Sequence, residues 1–175
     1  MPWSRIILSG GKHLMMGVAP AELRQADTLN IFIEADGKPV IAFELATDIG
    51  GNSVYIGWPC QYLVGNHLNS CNKALRTSHR YSQLVIDSIN RTIMAMKTRF
   101  HTDKIRRIGF FGGGTVATII GAKRGDIALL VTVAGNLDPK RWADFNHSAP
   151  LYDSLSPVDY STALESIGAA DSFDW

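Results

Sequence analysis

Ile108-Gly109-Phe110-Phe111-Gly112-Gly113-Gly114-Thr115-Val116-Ala117 is the stretch on which the fold turns. A strand, Arg106–Phe111, runs into three glycines, and a short helix, Thr115–Lys123, leads out of them. Upstream lies the clearest helix, Arg80–Phe100, in which Val85, Ile89, Ile93, Met96 and Phe100 recur at helical spacing and share one stripe. Downstream, Ile127–Ala134 is an uncharged apolar run of strand length, bounded by Gly125-Asp126 and Gly135-Asn136, as expected of a buried parallel strand. Farther out, Thr28–Ile33 reads as a strand that stops at Glu34-Ala35-Asp36-Gly37, and Val40–Thr47 has a helical pattern. Ser53–Trp58 reads as another strand, closed by Pro59. Arg5–Val18 reads as a hairpin around Gly10-Gly11, residues 60 to 78 as a surface excursion, and the last forty residues as irregular. Strands alternating with helices predict an α/β domain with a mostly parallel sheet, opened by antiparallel strands. No internal repeat or linker divides the 175 residues, so a single domain covers 1–175.

Two mechanisms need a glycine turn of this kind. Gly112-x-Gly114-x-x-Ala117 matches the dinucleotide fingerprint, whose glycines let a pyrophosphate approach the helix N-terminus. That fingerprint wants an acidic residue about 20 positions on. Positions 130 to 134 are Leu, Val, Thr, Val and Ala, and Asp138 comes late. The other mechanism is the nucleophile elbow, G-x-S-x-G, which holds an exposed serine on a strained strand-to-helix turn. Gly109 and Gly113 occupy its glycine positions and Phe111 stands where the serine belongs.

Four further features accompany the turn in order: Ile33-Glu34-Ala35-Asp36-Gly37, Trp58-Pro59-Cys60-Gln61-Tyr62, Ala134-Gly135-Asn136-Leu137-Asp138, and a tail of Trp142, His147, Pro150-Leu151 and Ser154-Leu155-Ser156-Pro157-Val158-Asp159. With these, the chain resembles a family of bacterial α/β hydrolases that carry I-E-G-D-G, R-P-C-Q-Y, a G-x-S-G-G-G elbow and an A-G-N-L-D…W…H…P-L…S-L-x-P-x-D tail. The likeness is strongest over residues 28–160 and leaves 161–175 unassigned. It implies an α/β-hydrolase-like sheet with flanking helices, lacking the family's last strands and the triad acid and histidine they carry. It also implies an ancestral ester or acyl hydrolysis, with Gly109, Gly112, Gly113, Gly114, Asp36 and Gly37 framing the elbow and its oxyanion loop. Phe111 replaces the nucleophile, Ala35 replaces a glycine, and the loop between Gly37 and Val40 is shorter than the family's. Asp138 and His147 follow Phe111 in the hydrolase order of acid then base, yet they fall in the A-G-N-L-D…H region rather than at the triad's usual place.

The expected protein is therefore an inactive or degenerate hydrolase homologue, or else a binding protein that uses the Gly112–Gly114 loop for a small acyl or ester ligand or a nucleotide. No cofactor is expected. Seventeen basic residues against sixteen acidic ones leave no basic stripe for nucleic acid. The apolar runs are too short for a membrane span. Without a signal peptide in the chain as written, a cytoplasmic location is expected, and there Cys60 and Cys71 would be free thiols; in an exported chain they would close a short loop. Neither they nor the histidines have metal-site spacing. His13, His67, His79 and His101 sit in polar contexts and are expected to be solvated, and Ser78-His79 adjacency is expected to mean little. Missing strands would leave a sheet edge open to self-association.

Overall fold

The computed structural model describes residues 2–22, 26–35, 37, 41–68 and 71–166. Strands β1 (Trp3–Ser9) and β2 (Leu14–Pro20) form the expected hairpin, followed by β3 (Thr28–Ile33), α1 (Ile41–Ile49) and β4 (Ser53–Ile56). Helix α2 (Gln83–Phe100), β5 (Lys104–Phe110), α3 (Gly112–Ala122), β6 (Ile127–Val133), α4 (Pro139–Phe145) and α5 (Ser161–Ser166) complete the order. The six strands make one sheet in the order β1-β2-β4-β3-β5-β6. The β1–β2 and β2–β4 pairs are antiparallel; β3 pairs in parallel with both β4 and β5, and β5 with β6. The mostly parallel α/β architecture expected from the alternation is the one found.

Helix α2 buries Val85, Ile89, Ile93 and Met96, the stripe its spacing announces, and His101 ends it in the left-handed region at φ 50°. The main core lies between one face of the sheet and helices α2 and α3; a smaller one under α1 gathers Phe32, Ala42, Ala46 and Tyr55. Helix α3 is buried almost throughout and starts on the glycines themselves, at Gly112 rather than Thr115. Glycine is a poor helix former, so propensity places the start late; burial of the whole first turn overrides it.

Strand β6 departs from expectation in another way. It is not buried: Leu129 is 48% and Val133 36% exposed. An apolar run normally signals a strand covered on both faces, but among the described residues β6 is the sheet edge, with β5 on one side only. The last forty residues also hold more order than expected. Besides α4 and α5, a 3-10 turn covers Pro157–Tyr160, Leu155 N–H donates to the Tyr81 carbonyl at 2.9 Å, and Leu151 and Leu155 pack on the main core. No described helix is long and apolar enough to cross a membrane.

At the opposite end of the sheet from the glycine turn, Asp126 binds Arg124 Nε at 2.8 Å and the Lys97 ammonium. Burial works against its charge, but hydrogen bonds from Arg124 and Lys97 outweigh it and bring the carboxyl from 3.8 down to about 2. A folded-state value below the unfolded one adds stability that is present above pH 3.8 and lost as pH falls toward 2. Urea unfolding between pH 5 and 2 should therefore show wild type losing roughly 2 kcal/mol that Asp126→Asn, already less stable at neutral pH, does not lose. Parallel pH profiles for the two proteins would contradict this.

Candidate functional site

Strands β3, β4, β5 and β6 all end on one side of the sheet, and the four sequence stretches that follow them meet there, as ligand sites of open α/β sheets do. At the centre is Phe111, between β5 and α3, with φ 49° and ψ −114°. A positive φ is uncommon for a bulky residue and marks strain. The glycines around it are dictated by close approach. A Cβ on Gly109 would lie 2.6 Å from the Gly113 carbonyl carbon and 2.6 Å from Gly114 Cα; one on Gly113 would lie 2.6 Å from the Glu34 carbonyl oxygen. A Cβ on Gly112 would lie 3.0 Å from the Tyr81 hydroxyl, and one on Gly114 would lie 2.9 Å from Gly135 Cα.

Each neighbouring stretch has a physical task. Glu34, buried at the end of β3, accepts from Ala42 N–H at 3.0 Å in the first turn of α1 and from Ala35 N–H at 3.2 Å, where a carboxylate offsets unpaired helix donors. The Ala35 amide, expected in the oxyanion loop, is thus turned onto Glu34. Trp58 Nε1 donates to the Glu34 carbonyl at 2.7 Å, and Gln61 Nε2 and the Tyr62 hydroxyl both donate to the Gly37 carbonyl, at 2.6 and 2.7 Å. Trp58-Pro59-Cys60-Gln61-Tyr62 is therefore a clamp on the loop after β3. Asp36 lies outside the described residues. On the other side, Asn136 N–H donates to the Phe111 carbonyl at 3.3 Å, and the Thr115 hydroxyl donates to the Asn136 carbonyl.

Helix α4 covers the turn: Trp142 meets the Phe111 ring edge-on, centroids 6.1 Å apart. Asp138 caps that helix, its carboxylate accepting from Arg141 N–H at 3.1 Å. His147 is exposed in the turn after α4 at φ 49°. The structure thus places Asp138 in a capping role and does not bring His147 into a hydrogen bond with it.

Three expectations are corrected by the side chains. Cys60 and Cys71 are bonded to each other, with Cα atoms 5.6 Å apart, rather than free; the excursion between them folds back on itself, which composition does not reveal. His13 is buried against Cys60 rather than solvated, its Nδ1 3.9 Å from the sulfur, and burial, then the Lys12 charge, lower its pKa. Ser78 and His79 do interact: Ser78 Oγ lies 2.8 Å from His79 Nδ1, and His79 Nε2 lies 3.4 Å from Asp153. Alternation of faces holds on strands, but these residues lie in a turn. With side chains 36% and 83% exposed, His79 and Asp153 form a surface pair, worth little in water. Glu34, Trp58, Gln61, Tyr62 and Tyr81 are the supporting residues the sequence reading assigns no role. Their signal is two co-occurring motifs whose partners are each other. Among the described residues no group of three or more His, Cys, Asp or Glu is placed to hold a metal ion.

The nucleotide alternative finds no support in this geometry. Gly112, Gly113 and Gly114 are all buried, packed on backbone and on Tyr81, so a pyrophosphate has no free helix N-terminus to approach.

No family model and no curated protein matches the sequence. Solved structures do match in shape. A dienelactone hydrolase-like promiscuous phosphotriesterase from metagenomic libraries superposes with TM-score 0.55 at 16% identity, covering 79% of this chain and 61% of its own. An α/β hydrolase from Penicillium sp. sh18 gives 0.57 at 14% identity, covering 97% and 68%. An α/β serine hydrolase homologue from Coxiella burnetii gives 0.55 at 13%, covering 84% and 70%. The chain thus spans about three fifths to seven tenths of these proteins. At such identities the likeness speaks for architecture alone, and with the strand order and the turn after β5 it gives this protein an α/β-hydrolase fold.

Proposed function

We propose that this protein is a non-catalytic member of the hydrolase fold, with the elbow kept and its chemistry gone, that retains at most a small acyl or ester ligand. Phe111 on the positive-φ turn carries the reading. Phenylalanine has no nucleophilic atom and no proton to give up, and its ring, lodged against Trp142, fills space above the turn. Asp138 is committed to α4 and the Ala35 amide to Glu34, so an acid and one oxyanion donor are also engaged elsewhere.

Restoring the serine should not restore an enzyme. A serine hydroxyl needs a base to take its proton and an acid to orient that base. Phe111→Ser keeps a Cβ on the positive-φ turn, so backbone strain of order 1–3 kcal/mol remains while the ring contact with Trp142 is lost, and its Tm should fall slightly. Its hydrolysis of p-nitrophenyl acetate should stay far below about 1 s⁻¹, the low end of ordinary enzymes. Saturable turnover at or above that rate would show an operative base beside the turn and overturn the reading.

A further inference from the structure

Arg107 is fully buried on β5, on the face that carries Ile105 into the main core, and none of its three side-chain nitrogens has a hydrogen-bond partner. A guanidinium carries five N–H donors and stays protonated in proteins. Leaving such a group without an acceptor or counter-charge is among the costliest arrangements a core can hold. The carboxylate whose charge bears on it, Asp126, is already shared by Arg124 and Lys97, and Arg124 also reaches Asn90. Two cations thus already bind the one anion that bears on Arg107. Burial first, and the Arg124 charge second, push the Arg107 pKa from 12.5 down to about 9, with Asp126 only partly compensating.

The guanidinium lies against the backbone of α3. A Cβ on Gly121 would fall 3.4 Å from Arg107 Cζ and nearer still to a terminal nitrogen, and the Leu130 side chain borders the same spot. What is missing is an acceptor that also brings negative charge. We propose that Arg107, where β5 meets the last turn of α3 and Leu130, holds a small inorganic anion of chloride size, with Arg124 adding charge. Complete burial of the guanidinium excludes larger ligands such as nucleotides. A buried water would satisfy an N–H group but leave the excess positive charge in place.

The test replaces sodium gluconate by sodium chloride at constant ionic strength and follows thermal unfolding of the full chain. A ligand held by the folded state alone stabilises it by mass action. Wild type should gain roughly 5–11 °C in Tm as chloride approaches a hundredfold excess over its dissociation constant, and Arg107→Met should gain none. A flat wild-type response, or a gain that persists in Arg107→Met, would overturn the proposal. Should Arg107→Met fail to fold, wild-type crystals grown in bromide decide the matter. An anomalous peak within hydrogen-bonding reach of the guanidinium supports the site, and its absence there rejects it.

Discussion

Gly113→Ala should leave the protein unable to fold. The added Cβ would sit 2.6 Å from the Glu34 carbonyl oxygen and 2.7 Å from the Ile33 carbonyl carbon. Overpacking costs about 1–3 kcal/mol where side chains can shift. Here the obstructing atoms are backbone at the end of β3, and Ile33 is paired with Ile56 on one side and Gly109 on the other. Moving them breaks the centre of the sheet, so a loss above about 4 kcal/mol is expected, a large share of a domain's whole stability. Gly125→Ala is the control: its Cβ meets nothing within 4 Å, and its effect should stay within about 0.5 kcal/mol. Circular dichroism and solubility of the two variants check the contrast. A cooperative melt of Gly113→Ala near the wild-type Tm would mean that the turn is not packed as described.

Reducing the disulfide should give the next largest effect. Cys60 and Cys71 are separated by 11 positions, and closing a loop of that length stabilises by about 3 kcal/mol on the chain-entropy model. For a domain of this size that corresponds to a fall in Tm of roughly 6–12 °C. Cys60 is itself buried, and the next two residues, Gln61 and Tyr62, clamp the Gly37 carbonyl. Calorimetry of wild type with and without reductant, beside Cys71→Ser, measures this. Unchanged melting on full reduction would show that the bond adds nothing to the fold.

The sequence makes legible whatever depends on neighbours along the chain. The stripe of α2, the β-branched run Thr28–Ile33 and the break at Gly112–Gly114 are local patterns, and they placed the α/β order and the turn. Exposure of Leu129 and Val133 was not local: it depends on what lies beside β6, and an apolar strand looks the same whether covered or at an edge. The Cys60–Cys71 bond is not legible because pairing depends on how the segment after β4 brings the two cysteines together, which neither composition nor spacing states. The roles of Glu34, Gln61 and Tyr62 escaped for a similar reason, since each depends on contacts between the segments after β3 and β4. Asp138 was legible as an acid in the right order, but its position ahead of Pro139 and Arg141 is equally that of a helix cap, and the cap is what the structure shows. Buried Arg107 sits one place along from exposed Arg106 on a strand; alternation says that one of the two faces the core, not what would compensate its charge.

The proposed silence of the turn at Phe111 can be tested on the protein directly. Its most direct test treats the wild-type chain with a fluorophosphonate probe in excess, maps any labelled peptide by mass spectrometry, and follows p-nitrophenyl acetate in parallel. The expected result is no stoichiometric label and no saturable turnover above the protein-free rate. Stoichiometric labelling with turnover, whether at Ser78, whose hydroxyl already bonds His79, or at any other serine, would contradict it.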